Sequence, residues 1–386
     1  MEKKINVALV GLSFGGAFVP IYTHHPDVGE VSLFDTNPDV LKEVGGRFGV
    51  KKLFSSFEAL LADDTIDAVH LISPIPCHEE QSIRVLEAGK HCACTVPMAL
   101  SLDGIRKIIA AKRKSGKNYM MMETSVYTRH FFYLRDMIEK GSLGEIQFMK
   151  GTHYQDMEFW PSYWMGLPPM WYGTHAIAPL LTAAGCRAVR TVCFGSGKMR
   201  EELVKQYQNP YPAEMALFEL ENGIKAEATR SLFETCRDYT EAFNIYGTKS
   251  TFEWQQIEGE EQPVIYTFDE PGKFHVEDTA RGRNVSYRRI DLPDRQELLP
   301  EEIQKFTVRS KFYDERNPQL MIEEGGGHGG SHPHLVHEFV RSILENRKPW
   351  LDEIFGANVT AAGICAHESA MQGGKEVVIP DFTQEV

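Results

Sequence analysis

The chain has 386 residues, of which 42% are apolar and 25% are charged, and its formal net charge is −13. This length allows about two to three domains, and so acidic a composition does not suit nucleic acid, whose phosphates need a clustered basic surface. The sequence contains no run of about 18 apolar residues that could span a membrane, and its glycine-interrupted N-terminus lacks the pattern of a signal peptide. We therefore expect a cytoplasmic protein with a small-molecule ligand, and with neither a nucleic-acid nor a membrane partner.

The N-terminal segment has the pattern of a dinucleotide-binding unit. Residues 5–10 (INVALV) predict a strand that is buried on both faces of a parallel sheet. The glycine-rich stretch GLSFGG follows at 11–16, then a helix-like segment, and then a second predicted strand at 31–35. A glycine fingerprint gains its meaning from this order of strand, turn, helix and strand.

Three residues of the glycine turn have predicted roles. Gly11 permits the tight turn, Gly16 permits the helix to approach the strand, and Ser13 is small enough for a pyrophosphate to approach the backbone. Free N–H groups at the start of the following helix favour the phosphates. The predicted cofactor contacts in the turn are Gly11, Ser13, Phe14, Gly15 and Gly16.

Asp35 predicts which dinucleotide binds. It stands 19 residues after Gly16, at the end of the second predicted strand. A carboxylate at this place hydrogen-bonds the adenosine ribose and repels a 2′-phosphate. We therefore expect NAD rather than NADP, the alternative being a Rossmann-like domain without a nucleotide.

Strands and helices continue to alternate up to residue 124. Strands are predicted at 67–73, 90–96 and 118–124, and helices at 78–88 and 101–115, the second capped by Ser101. Ligands of such doubly wound sheets bind at the carboxyl ends of the strands. Further cofactor contacts are predicted there for Ser73, Pro74, His78, Thr95, Pro97 and Glu123.

The rest of the chain predicts a second α/β domain. Segments 145–155, 190–197, 214–233 and 241–256 have the alternation and turns of long antiparallel strands. Residues 269–320 predict an insertion-like loop with a short helix near 300–306, and amphipathic helices follow at 333–346 and 355–371. The predicted boundaries are 1–123 for the Rossmann domain and 124–386 for the second domain.

Three stretches resemble the Gfo/Idh/MocA family of oxidoreductases. They are VALVGLSFGGA at 7–17, the segment from LISPIPCHEE to ALSLDG at 71–104, and METSVYTRHFFYLRDMIEKGSLGEIQ at 122–147. The resemblance implies a C-terminal domain with a large open, mostly antiparallel sheet, through which homodimers or homotetramers form. It also implies that NAD and a sugar meet in a cleft between the two domains, with the C-terminal helices packing partly on the first.

Two family motifs are altered. The motif Glu-Lys-Pro, whose lysine supports proton transfer, is Thr95, Val96 and Pro97 here. The second motif, D-x-G-x-H-x-x-D, reads WYGTHAIA at 171–178, so that His175 is kept while Trp171 and Ala178 replace the aspartates.

The altered motifs are similar to those of the NAD-dependent glycosidase branch of the family, which includes α-N-acetylgalactosaminidases. The branch has Y-P-T-H-G-L-G-P, which Tyr172, Thr174 and His175 fit, and E-N-x-x-Y, which Glu123 and Tyr127 fit. The resemblance implies that His175 is the base for the sugar hydroxyl, assisted by Tyr172, and that Tyr127 is a second acid or base. The alternative is that these three residues only pack in the core.

An aromatic-rich stretch at 152–173 predicts a carbohydrate site, because aromatic rings stack on sugar rings. The alternative is a buried loop that packs against the sheet or a neighbouring subunit. The predicted substrate contacts are Asp156, Trp160, Trp164, Thr174, Arg129 and His328. The histidine-rich stretch at 325–339 lacks convincing ligand spacing, so we expect no metal and a glycine-rich loop that closes over the cleft.

The resemblance implies hydride transfer between a ring carbon of a pyranose, C3, and NAD. One alternative is a redox-assisted glycoside hydrolase that oxidises, eliminates, adds water and re-reduces, with NAD recycled. The other is a non-catalytic protein that binds NAD and sugar as a sensor or subunit.

Overall fold

The apolar segments near the N-terminus form a parallel sheet, as predicted. The computed structural model describes residues 4–257, 259–269, 283–314 and 317–384. The strands of this sheet are β1 (Ile5–Val10), β2 (Val28–Phe34), β3 (Lys52–Leu53), β4 (Ala68–Leu71), β5 (His91–Cys94) and β6 (Tyr119–Met121). Within the described residues they pair in the order β3-β2-β1-β4-β5-β6, which is the doubly wound order of a dinucleotide-binding domain.

Helices connect these strands, and the last of them begins and ends where its capping residues predict. The helices are α1 (Val19–His24), α2 (Pro38–Arg47), α3 (Phe57–Leu61), α4 (His78–Glu87) and α5 (Leu102–Ser115). Ser101 Oγ accepts a hydrogen bond from the Gly104 N–H at 2.9 Å, which confirms the predicted cap of α5. Gly116 ends that helix in the left-handed conformation, with φ of 66°.

The middle of the chain forms the strands of a second sheet. Its elements are α6 (Arg129–Glu139), β7 (Ile146–Tyr154), α7 (Thr174–Ala184), β8 (Ala188–Ser196), α8 (Glu201–Tyr207), β9 (Ala213–Leu220), β10 (Lys225–Ser231), β11 (Thr240–Gly247), β12 (Ser250–Glu253), β13 (Val264–Phe268) and β14 (Val285–Arg289).

The C-terminal part corrects one prediction. Its elements are α9 (Glu301–Gln304), β15 (Ser310–Asp314), β16 (Asn317–Glu324), α10 (Gly327–Leu344), α11 (Glu353–Met371) and β17 (Val377–Val378). The expected loop at 269–320 lies partly outside the described residues, but strands β14, β15 and β16 contradict it elsewhere. Strands β14 (VSYRR) and β15 (SKFYD) contain few apolar residues, so their sequences carry little of the apolar alternation that signals a strand. The short helix predicted near 300–306 is confirmed by α9.

The chain divides into two compact units. The first contains the residues up to Arg129, Asp294–Ala361 and those from Asp381 onward, and the second contains His130–Pro293 and Ala362–Pro380. In the described part of the second unit, the strands pair in the order β14-β13-β12-β11-β7-β10-β9-β8-β17, and most neighbours are antiparallel. No helix among the described residues combines the length and apolarity needed to cross a bilayer.

One row of this sheet is built from ionisable residues. Glu241 on β11 pairs with His153 on β7, His153 pairs with Arg230 on β10, and Arg230 pairs with Glu214 on β9. All four side chains are buried, on the face that helix α7 covers. Because strand neighbours point to the same face, the register alone gathers two carboxylates, an imidazole and a guanidinium beneath α7.

Candidate functional site

The glycine turn of the first unit has the geometry that a bound dinucleotide needs. Gly11 has φ of 85°, and its N–H donates to the Phe34 carbonyl at 3.0 Å. A Cβ atom at this position would lie 2.6 Å from the Ile72 carbonyl oxygen, so only glycine fits. Ser13 and Phe14, which follow, are exposed and can face a ligand.

The close approach predicted for Gly16 occurs one residue earlier. A Cβ at Gly16 would meet nothing within 4 Å, whereas a Cβ at Gly15 would lie 3.3 Å from the Ile72 side chain. The additional glycine in GLSFGG therefore takes over the tight packing position. The prediction that Gly16 lets the helix approach the strand is wrong.

Asp35 closes the turn and presents its carboxylate at the carboxyl end of β2. Its Oδ2 accepts a hydrogen bond from the Leu12 N–H at 2.7 Å, and its Oδ1 accepts one from the Asn37 N–H at 2.8 Å. Each oxygen has a second lone pair, and the side chain is only half-buried, so ribose hydroxyls can still donate to it. The residues present therefore fit NAD.

An arginine near the glycine turn does not change this preference. Arg47 lines a cavity of about 390 Å³ together with Ser13 and Phe14. Its guanidinium pairs with Glu324 at 2.6 Å, which neutralises a charge that would otherwise attract the 2′-phosphate of NADP.

The strand-end residues Ser73, His78, Thr95 and Pro97 lie together. His78 Nδ1 is 2.7 Å from the Pro97 carbonyl oxygen, and Nε2 is 2.9 Å from the Ser73 carbonyl oxygen. Thr95 Oγ1 donates to the Leu71 carbonyl at 3.3 Å. His78 thus ties the loop after β4 to the loop after β5, while Pro74 beside it is exposed.

The residue at the position of the family lysine is buried and apolar. Val96 is 6% exposed, and no atom of its side chain can carry a proton. Any proton transfer in this protein must therefore depend on other residues.

Glu123 and Tyr127 frame a short 3-10 helix, Thr124–Tyr127, of the first unit. The Glu123 side chain is fully buried, and its Oε1 accepts the Ser125 N–H at 3.0 Å. The Tyr127 ring packs edge-on against Trp350, with centroids 5.5 Å apart. Tyr127 belongs to the first unit, whereas Tyr172 and His175 belong to the second.

A glycine-rich loop, His328–Gly330, interrupts the first turn of α10 and takes a left-handed path. His328, Gly329 and Gly330 have φ of 44°, 61° and 84°, and the His328 ring lies 5.9 Å from the Phe14 ring of the glycine turn. This places the loop beside the predicted cofactor turn. The Ser331 hydroxyl, directly after this loop, makes no hydrogen bond to a helix N–H in the described structure.

Arg129 anchors this loop. Its Nε donates to the Gly329 carbonyl at 3.3 Å, its Nη2 to the Thr307 carbonyl at 3.1 Å, and its Nη1 pairs with Asp294 at 3.3 Å. The guanidinium therefore already has three partners in the first unit. Its direct contact with a substrate stays a prediction.

The residues of the altered His motif lie at the start of α7. Thr174 and His175 are the first two residues of this helix, and both are buried. The Tyr172 ring stands perpendicular to the His175 ring, with centroids 5.5 Å apart. The predicted pairing of His175 with Tyr172 is thus a contact in the second unit.

A carboxylate and a second histidine lie next to His175. His175 Nε2 is 3.6 Å from Glu241 Oε1, and His153 Nε2 is 4.0 Å from the same oxygen. The Tyr239 hydroxyl donates a hydrogen bond to that oxygen as well. Donor atoms of His153, His175 and Glu241 all lie within 4.8 Å of one another, and these residue types could also hold a divalent metal.

Arg230 holds the backbone next to this cluster in place. It is fully buried, and its guanidinium donates to the carbonyls of Tyr172 at 3.0 Å and His153 at 3.1 Å and to Gln155 Oε1 at 3.1 Å. Burial lowers the pKa of Arg230 to about 10. Arg230 therefore holds the backbone that carries Tyr172 and His153.

The aromatic stretch at 152–173 contributes rings both to the surface and to the core of the second unit. Trp160 is 49% exposed and meets the buried Trp164 edge to face at 6.1 Å. Trp164 in turn packs against Tyr172 at 4.7 Å. Asp156 is exposed and accepts the Glu158 N–H at 2.9 Å. An exposed ring is therefore connected by direct packing to the residues around His175.

The sequence did not point to Glu241 or Tyr239. The pairing of β7 with β11 brings Glu241 next to His153, although the two residues are almost 90 positions apart in the sequence. Local patterns do not encode such a register.

Comparisons with known proteins agree with the fold. Residues 5–123 match the oxidoreductase family with an NAD-binding Rossmann fold (Gfo/Idh/MocA). The chain is 25% identical to glycosyl hydrolase family 109 protein 1 of Phocaeicola vulgatus, over 98% of this chain and 84% of that protein. It is also 25% identical to the protein of the same name from Bacteroides thetaiotaomicron, over 99% of this chain and 85% of that protein.

Solved structures share the fold of this chain. Levoglucosan dehydrogenase in complex with NADH and L-sorbose superimposes with a TM-score of 0.76 at 19% identity, covering 98% of this chain and 100% of that one. The aldose-aldose oxidoreductase of Caulobacter crescentus gives a TM-score of 0.72 at 16% identity, covering 98% and 100%. Residues 5–123 therefore form an NAD-binding Rossmann domain of the Gfo/Idh/MocA oxidoreductase family.

Proposed function

We propose that this protein is an NAD-dependent enzyme that oxidises a ring hydroxyl of a sugar, at C3 of a pyranose. The observation that carries the proposal is the cluster around His175, where a buried imidazole lies 3.6 Å from a buried carboxylate. A base of this kind suits removal of a hydroxyl proton, because histidine titrates near neutral pH.

The residues of the cluster have distinct proposed tasks. His175 takes the hydroxyl proton, and Tyr172, perpendicular to its ring, orients the imidazole and the sugar. NAD, when bound, accepts the hydride from the same carbon. Gly11, Asp35 and the strand-end residues around His78 hold the dinucleotide.

The predicted sugar contacts form the second part of the proposal. Trp160 offers an exposed ring for stacking on the C–H face of a pyranose. The polar groups that would hydrogen-bond the hydroxyls of the sugar are Asp156, Thr174 and His328. Trp164 packs against Trp160 from the core. Arg129 acts by holding the His328 loop.

A second candidate function is redox-assisted cleavage of a glycosidic bond. Two observations favour it: Val96 cannot replace the lysine of the dehydrogenases, and curated relatives that cover almost the whole chain are named family 109 glycosyl hydrolases. In this reaction Tyr127 would remove the proton next to the new ketone, the aglycone would leave, water would add, and the hydride would return.

One experiment separates the two candidates. The purified protein is incubated with NAD and a panel of free sugars and aryl glycosides in D₂O, while absorbance at 340 nm and aglycone release are both recorded. NADH accumulation with a free sugar identifies a dehydrogenase. Aglycone release without NADH accumulation, and with deuterium at C2 of the product, identifies the glycosidase. If NAD binds but neither NADH nor free aglycone is formed, the result contradicts the proposal and favours a sensor.

A further inference from the structure

We propose that Glu241 is the positioning residue of His175, and that it supplies from strand β11 the carboxylate that the motif lacks at positions 171 and 178. The inference rests on the proposed function, because it assigns His175 the role of the base. It extends that function by naming the group that orients the base and stabilises its charged form.

The register of the sheet makes Glu241 a fixed partner. Glu241 lies opposite His153 in the β7–β11 pair, and the neighbouring pairs Ala242–Thr152 and Thr240–Tyr154 hold it in place. Its side chain is only 6% exposed, and its Oε1 is the atom that approaches both histidines. A carboxylate in a central strand cannot easily turn away from the helix above it.

The distance between His175 and Glu241 indicates an electrostatic interaction rather than a hydrogen bond. At 3.6 Å, His175 Nε2 and Glu241 Oε1 are too far apart for a good hydrogen bond. Once His175 is protonated, the two groups form a buried ion pair, and opposite charges within about 4–6 Å shift a titration by about one to three pH units. Glu241 would therefore make His175 a stronger base.

The other charged and titratable groups around His175 have assigned positions. His153 on β7 and Tyr239 before β11 face the same Glu241 oxygen, and Tyr172 packs on the His175 ring. Arg230 on β10 is a cation behind Tyr172, with its central carbon 5.3 Å from that ring. It opposes protonation of His175, so Glu241 also offsets the charge of Arg230.

The same donors could bind a metal, but one observation favours the proton role. The buried guanidinium of Arg230 donates to the His153 carbonyl at 3.1 Å, and this positive charge disfavours a further cation. The test therefore also measures whether the purified protein contains a metal.

The step balances without an additional reactant. The sugar O–H bond breaks, and its proton goes to the His175 imidazole. The electron pair of that bond forms the C=O bond as hydride leaves the carbon for NAD. Glu241 remains a carboxylate throughout, and the positive charge created on His175 lies opposite it.

The direct test is an NMR titration of the protein labelled with ¹⁵N-histidine, in which His175 is assigned from the signal that disappears in His175→Gln. We expect Glu241→Gln to move the His175 titration midpoint down by about one to three pH units. The matched control is Glu253→Gln, which removes a carboxylate that accepts the Tyr246 hydroxyl at 2.9 Å in the same sheet and should leave the midpoint unchanged.

Activity gives an independent measure once a substrate is known. Glu241→Gln should lower kcat by about 10²-fold, which is the lower range of general-base contributions, and should move the acid limb of the pH–rate profile to lower pH. Glu241→Asp keeps the charge, so it should restore part of the loss and keep the wild-type limb. Glu241→Asp also keeps the test valid if Glu241→Gln does not fold.

Two results would overturn the inference. One is an unchanged His175 midpoint in folded Glu241→Gln. The other is stoichiometric zinc or manganese in the purified protein that is lost in Glu241→Gln. Absence of turnover on every sugar, with the His175 midpoint shifted as expected, would instead contradict the proposed function and leave the coupling of Glu241 to His175 intact.

Discussion

His78 is predicted to be a buried cation that holds two strand-end loops together. Both of its ring nitrogens lie within hydrogen-bond distance of carbonyl oxygens, those of Pro97 and Ser73. Carbonyls only accept hydrogen bonds, so both nitrogens must donate, and only the protonated ring has two N–H groups. The perturbation is His78→Gln, whose amide cannot bridge both carbonyls in this geometry and carries no charge.

The expected change in unfolding free energy follows from the pKa of His78. Burial by itself lowers the pKa of His78, but the Cys94 side chain and the carbonyls of Pro97 and Ser73 outweigh burial and raise it from 6.5 to about 9. The difference corresponds to about 3 kcal/mol of unfolding free energy. Because the folded-state pKa is the higher one, this contribution is complete below pH 6.5 and is lost as the pH rises to about 9.

The assay is urea unfolding at several values between pH 6 and pH 9.5. The free energy of unfolding of the wild type should fall by about 3 kcal/mol more than that of His78→Gln over this range, and the variant should already be less stable at pH 6. Parallel pH dependences of the two proteins would refute the charged state of His78, even if the variant were less stable throughout.

Three further predictions concern other parts of the fold. Burial lowers the pKa of His70 to about 3, so its contribution is complete above pH 6.5 and falls by about 2 kcal/mol by pH 5; His70→Gln should flatten this acid limb of urea unfolding, and an unchanged slope would contradict the reasoning. Gly11→Ala should destabilise the protein by about 2 kcal/mol more than Gly49→Ala, since both glycines have positive φ but only Gly11 has a carbonyl in the way; calorimetry should also find NAD binding lost in Gly11→Ala alone. The open face of the second sheet exposes Leu217 and Phe194 by 52% and 55%, and we propose that it joins copies of this chain into a homodimer or homotetramer; Leu217→Glu should lower the mass measured by sedimentation, and a wild-type monomer would refute this.

The first sheet could be predicted because its signals are local. Each buried strand of the first unit is a short apolar run, and its turn carries glycine or a capping residue such as Ser101. Even there, the exact position of close packing shifted from Gly16 to Gly15, because the sequence contains one glycine more than the packing needs. Cofactor type followed from Asp35, whose position at the end of β2 depends on the same local pattern.

The cluster around His175 was predicted only in part. His175 and Tyr172 stand three residues apart in the sequence, and their contact follows from the turn into α7. Glu241 depends on a pairing between β7 and β11 that a single sequence does not determine, and Arg230 lies in a buried row whose direction only the register reveals. The exposed strands β14 and β15 were missed because their residues lack apolar alternation.

The most direct test of the central claim is a single-turnover experiment with the NAD-loaded protein in excess over a sugar or glycoside, monitored at 340 nm. Both the dehydrogenase and the glycosidase begin with the same oxidation. The account predicts a burst of absorbance in the wild type, persistent for the dehydrogenase and transient for the glycosidase, and no burst in His175→Ala. An equal burst in His175→Ala, or product formed by the wild type without any absorbance change, would contradict it.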